Sequence, residues 1–137
     1  MANALYSKAK ERFLAWQWSG DPIDMVDDDI KVALIDTALY TFNASDEYWS
    51  SASSAQVGSS VSLVSKTVNN GVFDAADVVF TSVAGASIEA IILYKDSGSP
   101  LSSALIAYID VVASGLPVTP NGGNITVQWA ASGIFTL

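Results

Sequence analysis

A chain of 137 residues, 50% hydrophobic and only 15% charged, can bury a core but must draw much of its surface polarity from Ser, Thr, Asn and Gly. Fourteen acidic against six basic side chains give a net charge of −8, which excludes a nucleic-acid binder built on clustered Lys and Arg and disfavours docking on an anionic membrane. Cys and His are both absent, so disulfides, thiolate nucleophiles, the commonest metal ligand and the commonest general base are all missing.

The length fits one domain, 1–137. No apolar run approaches the roughly 18 residues of a membrane span. The first 14 residues interleave charge with apolar side chains and lack a signal-peptide core, so the chain is expected to be made in the cytoplasm and left unprocessed. Residues 3–16 carry the one helical pattern: Leu5, Ala9, Phe13 and Trp16 form an apolar stripe, while Lys8, Glu11 and Arg12 point elsewhere. Gly20 followed by Asp21-Pro22 supplies a stop and a turn.

From Asp29 the period shifts to two. Ile30, Val32 and Leu34 alternate with their neighbours, and similar alternation recurs at 78–80, 88–94, 105–109 and 125–129, with further strands expected over 61–68 and 133–137. Turn formers separate these runs: Asn69-Asn70-Gly71, residues 96–100, Gly115-Leu116-Pro117 and residues 120–123. The expected fold is all-β, an antiparallel β-sandwich over about 29–137 with the jelly roll as one arrangement, preceded by one amphipathic helix. Strands 88–94 and 104–109 are apolar on both faces, so each needs cover on both sides: the opposing sheet on one, the helix or a second subunit on the other. Residues 43–60, rich in Ser and Ala, read as a long exposed loop.

Few constellations carry chemistry. Asp24, Asp27, Asp28 and Asp29 offer oxygens to a hard cation, but the spacing of a Ca²⁺ loop is missing and a solvated acidic turn is the commoner outcome. Asp74 and Asp77, with Glu89, are a conceivable carboxylate pair for glycoside hydrolysis; as residues flanking a short loop they are more often turn formers. Ser65-Lys66 lacks the geometry for an activated nucleophile if both lie in a strand. The sequons at Asn43 and Asn124 carry no weight without a secretion signal. No catalytic site, cofactor or metal is expected. Trp16 fits the helix stripe, whereas Trp18, Tyr48 and Trp49 fall in expected loops. Core burial is the commoner fate of any one aromatic. Together, Trp16, Trp18, Tyr48 and Trp49 make residues 16–60 the expected partner-binding surface.

Several runs resemble a family of small structural proteins of tailed bacteriophages: MANALYSKAKERFL at the start, IKVALIDT, AIILYKDSGSPLSSALIAYID and the closing GLPVTPNGGNITVQW. The resemblance follows the chain in order and covers most of it. It implies a virion component, with capsid decoration (cement) the expected role: a protein on the capsid exterior that bridges and stabilises major capsid subunits and associates with itself as a dimer or trimer. The alternative is a tail- or head-fibre attachment module binding a receptor or carbohydrate, with Tyr48 and Trp49 as a stacking platform. The segment WQWSGDPIDMVDDD is longer and more acidic than the family pattern, and ASGIFTL lacks its basic residue near the end.

Overall fold

The computed structural model describes residues 3–15 and 22–137. Its centre is a five-stranded antiparallel sheet in the order β1-β8-β7-β2-β3. The strands are β1 (Ala4–Leu5), β2 (Ile30–Ile35), β3 (Gln56–Ser62), β7 (Ala90–Lys95) and β8 (Ala104–Ile109). A three-stranded sheet contains β4 (Thr67–Asn69), β5 (Val72–Asp74) and β10 (Phe135–Thr136), and a two-stranded sheet pairs β6 (Val78–Phe80) with β9 (Ile125–Val127). One helix, α1 (Ser7–Leu14), follows β1. The fold is therefore all-β and sandwich-like with one N-terminal helix, as the change of period at Asp29 predicts. No helix among the described residues is long and apolar enough to cross a membrane.

Register decides which side chains share a face, because opposed residues project to the same side. Lys31, Ala33 and Ile35 oppose Tyr94, Ile92 and Ala90, and Ile92 opposes Tyr108. On the other face Val32 and Leu34 oppose Leu93 and Ile91, which oppose Ala107 and Ile109. β8 is buried throughout and β7 at every residue but Lys95, so both faces are covered and the strands read as unbroken apolar runs.

The cover differs on the two sides. Trp49 stacks on Tyr94 and Phe42 packs on Tyr108, so the 36–55 segment roofs the first face. On the second face Leu5, Ala107 and Ile109 look toward Ile134 and Phe135, and β3 packs on β6. A single cluster of buried side chains joins both sides. Each fully buried Ile or Leu in it stabilises by about 1.5–3 kcal/mol.

The elements depart from the sequence expectation in three places. Residues 4–5 are strand, not helix: Leu5 matches the helical stripe in spacing but pairs with Ala107 on β8, and α1 begins only at Ser7. The strand expected over 61–68 is Gln56–Ser62, followed by a break and then β4. Residues 43–60 are no long exposed loop; two short 3-10 turns at Trp49–Ser51 and Ser53–Ala55 lead straight into β3.

An eight-residue helix is unstable alone and depends on what it packs against. Here Ser7 N–H donates to the Ala44 carbonyl at 3.0 Å, and Ala9 and Arg12 are buried. The short strand before it is fastened by Asn3, whose Oδ1 accepts the N–H groups of Asp110 and Val111 at 2.9 Å each while its Nδ2 donates to the Val111 carbonyl. Asn3→Ala should cost about 1 kcal/mol, since these bonds are solvent-exposed. Hydrogen exchange at Tyr6, whose N–H donates to the Ile106 carbonyl at 3.0 Å, should quicken more than exchange in β7; equal protection in the variant would show that Asn3 does not hold this edge.

Candidate functional site

Among the described residues, polar and aromatic groups concentrate where α1 meets residues 40–49. The backbone at 47–49 runs along the upper edge of β8, where β1 no longer covers it: Leu105 N–H donates to the Glu47 carbonyl at 2.9 Å and Trp49 N–H to the Ser103 carbonyl at 2.8 Å. Pairing there turns Tyr48 and Trp49 in fixed directions. Trp49 is 4% exposed, its ring 4.6 Å from that of Tyr94 and within 7° of parallel. Tyr48 is half-buried, with the Arg12 guanidinium 5.7 Å from its ring centroid. Trp16 and Trp18 lie outside the described residues.

Arg12 corrects the sequence expectation. It faces inward with α1, its side chain 5% exposed, and ion-pairs with Glu47 at 2.9 Å. Beside it a buried hydrogen-bond chain runs from Tyr6 to Tyr40 at 2.9 Å, and Tyr40 donates to Asp46 Oδ2 at 2.9 Å. Burial, reinforced by these hydroxyl contacts, pushes the Tyr6 hydroxyl far above its ordinary range; burial also pushes Tyr40 up to about 12. Both phenols are therefore neutral, and the chain clips α1 to the 40–47 segment.

The acidic turn is closed on itself. Asp24 Oδ1 accepts the N–H groups of Val26 and Asp27, and Asp28 Oδ2 accepts Asp24 N–H. Lys95 Nζ lies 3.3 Å from Asp28 and donates to the Pro22 carbonyl at 2.8 Å, Lys66 donates to the Asp28 carbonyl, and Ser62 donates to Asp29. The cluster thus works as a laced turn feeding β2. No group of three or more Asp or Glu among the described residues is placed to hold a metal ion.

The two N–H donors, Asp27 first and then Val26, hold the Asp24 carboxyl below the usual carboxylate range, and Lys31 at 2.8 Å does the same for Asp96. A depressed folded pKa stabilises fully above the unfolded value of about 4 and less as pH falls through the folded value. The urea midpoint should be level between about pH 7 and 5, then fall below about pH 4. Asp24→Asn keeps an oxygen for the two donors without the charge and should soften that fall. An unaltered acid limb in this variant would remove Asp24 from the account.

The remaining candidates stand on separate elements, Asp74 at the end of β5, Asp77 just before β6 and Glu89 just before β7. Asp74 Oδ1 accepts Ala75 N–H at 2.9 Å, and Asp77 Oδ1 accepts Trp129 N–H at 3.0 Å. Glu89 Oε1 accepts both the N–H and the hydroxyl of Thr37. Ser65 has φ +54 and sits outside any strand. Two clefts flank the C-terminal strand. The first, about 550 Å³, is lined by Phe13, Ile23, Met25, Phe73 and Phe135, with more than half of Val68 and Leu137 open beside it. The second, about 580 Å³, is lined by Leu5, Lys10, Ala107, Ile109 and Ile134. Both are mostly apolar, and the first also takes the charged Arg12, Asp24, Asp28 and Lys95 into its wall. Sequence reasoning missed these clefts, because their walls come from segments far apart in the chain, α1 and residues 22–28 among them. Comparison with protein-family models and with curated protein sequences finds no match.

Proposed function

We propose that this chain is a structural protein of the tailed-phage virion, a decoration (cement) protein seated on the capsid exterior that bridges neighbouring major capsid subunits. The observation that carries this is the ordered resemblance of four runs, one of which supplies β2, one the β7–β8 hairpin and one β9. DNA pressure strains the joints between capsomers, and a protein spanning a joint adds contact area that expansion must break. Many weak contacts on one shell sum through multivalency. Self-association as a dimer or trimer follows the symmetry of such a shell. The partners are the major capsid protein and the chain itself, with neither nucleic acid nor membrane among them.

Two features support this over its rivals. A carbohydrate platform needs open aromatic faces, and one face of Trp49 is already taken by Tyr94. A carboxylate pair for hydrolysis must face a sugar across a cleft, and neither Asp74 nor Asp77 lines either of the two clefts. The proposal is therefore of a binding protein, not an enzyme. Densitometry of purified particles, scaled to the major capsid protein, tests it. A ratio of one copy per capsid subunit, or a fixed simple fraction, supports decoration; a few copies per particle would overturn it in favour of a tail or fibre component.

A further inference from the structure

The chain contains two Asn-Gly pairs, Asn70-Gly71 and Asn121-Gly122, and all four residues are exposed. Such pairs are open to intramolecular attack, because glycine has no Cβ to shield its amide nitrogen. The nitrogen loses its proton to water or hydroxide and bonds to the asparagine Cγ. The Cγ–Nδ2 bond of the side-chain amide then breaks, Nδ2 takes a proton from water and leaves as ammonia, and a succinimide ring remains. Water then opens the ring at either carbonyl, leaving aspartate or isoaspartate. Sequence makes the two sites equal; the fold does not.

The difference lies at the attacking atom. Gly122 N–H donates to the Val83 carbonyl at 2.7 Å, and the loop is fastened again by Val83 N–H to the Gly123 carbonyl at 2.9 Å. The Gly122 nitrogen must break a short hydrogen bond before it can lose its proton and turn toward Asn121. Gly71 N–H donates to no described residue. It lies at the tip of the two-residue turn between β4 and β5, where Asn70 (φ +51) and Gly71 (φ +80) both adopt left-handed backbone. Only the stems of that turn are paired, Asn69 with Val72, and Leu137 N–H donates to the Gly71 carbonyl.

We propose that Asn70 is a site of spontaneous deamidation in the folded protein and that the Val83 hydrogen bond protects Asn121. The isoaspartate product lengthens the main chain by one carbon, which a two-residue turn cannot absorb. It therefore draws the Gly71 carbonyl off Leu137 and loosens the β10 edge.

Incubating the native chain at mildly alkaline pH, then mapping peptides by mass and by an isoaspartate assay, tests the proposal. Conversion, a gain of about 1 Da per site, should run about tenfold faster at Asn70, the factor carried by one hydrogen bond on the nucleophile. In urea, with the Val83 bond gone, the two rates should converge. Equal or reversed rates in the native protein, no conversion at Asn70, or a ratio that persists in urea would each overturn it.

Discussion

Trp49→Ala should lower the unfolding free energy by about 3–5 kcal/mol, a large part of the 5–15 kcal/mol that holds a domain of this size together. The ring is buried under the 3-10 turn it begins and lies parallel to Tyr94, so its loss removes both its own burial and the cover over β7. The site cannot collapse readily, because the backbone at Trp49 is pinned to Ser103 and the next residue, Ser50, donates to the Pro100 carbonyl at 2.9 Å. Trp49→Phe keeps an aromatic roof and should lose only about 1 kcal/mol. Chemical denaturation gives both numbers, and the near-ultraviolet circular dichroism of the stacked pair should vanish in the alanine variant. An alanine variant of unchanged stability that no longer binds its partner would return Trp49 to the role of a surface anchor.

The same residue marks the limit of what the sequence discloses. Strong periodicity and strong turns survive in one dimension: Ile30–Ile35, the β7–β8 hairpin with its 96–100 turn, and the Asn70-Gly71 tip all stand where the pattern puts them. β3 is nearly silent, since QVGSSVS is half polar and owes its extended form to pairing with β2, not to its own residues. β1 hides inside a helical spacing because Leu5 answers to Ala107, about a hundred positions away. Arg12 looks like a solvated helix charge until Glu47 comes beside it, and a contact between residues 35 apart leaves no periodic trace. The 40–49 segment is illegible for the same reason: its aromatic rings belong to a sheet whose strands come later in the chain. Burial of strands 88–94 and 104–109 on both faces was legible, and the helix expected to cover them does pack against β8; the further cover supplied by residues 36–55 was not legible.

Gly115→Ala is the second substitution expected to be severe, at about 3 kcal/mol. Gly115 has φ +116, and a Cβ there would lie 2.5 Å from the Thr126 carbonyl oxygen and 3.1 Å from Val127 Cα. Both obstacles are backbone, and that backbone is β9, held by Val127 opposite Val78 and by the exchange between Ser114 and Gln128, with Gln128 N–H donating to the Ser114 carbonyl at 2.9 Å. Relief would require the 113–116 turn to lift away from β9, which breaks these bonds and uncovers the fully buried Val127. Gly98→Ala separates strain from collision: its φ is +91, but nothing lies within 4 Å of the added carbon. That variant should lose only the cost of a left-handed alanine, about 1–2 kcal/mol. Measured by thermal and chemical unfolding, the two should differ by about 1–2 kcal/mol, with Gly115→Ala the weaker protein. Equal losses would mean that β9 can move aside, and that the close approach of the 113–116 turn is a soft contact instead of the brace that fixes the edge of the β6–β9 sheet.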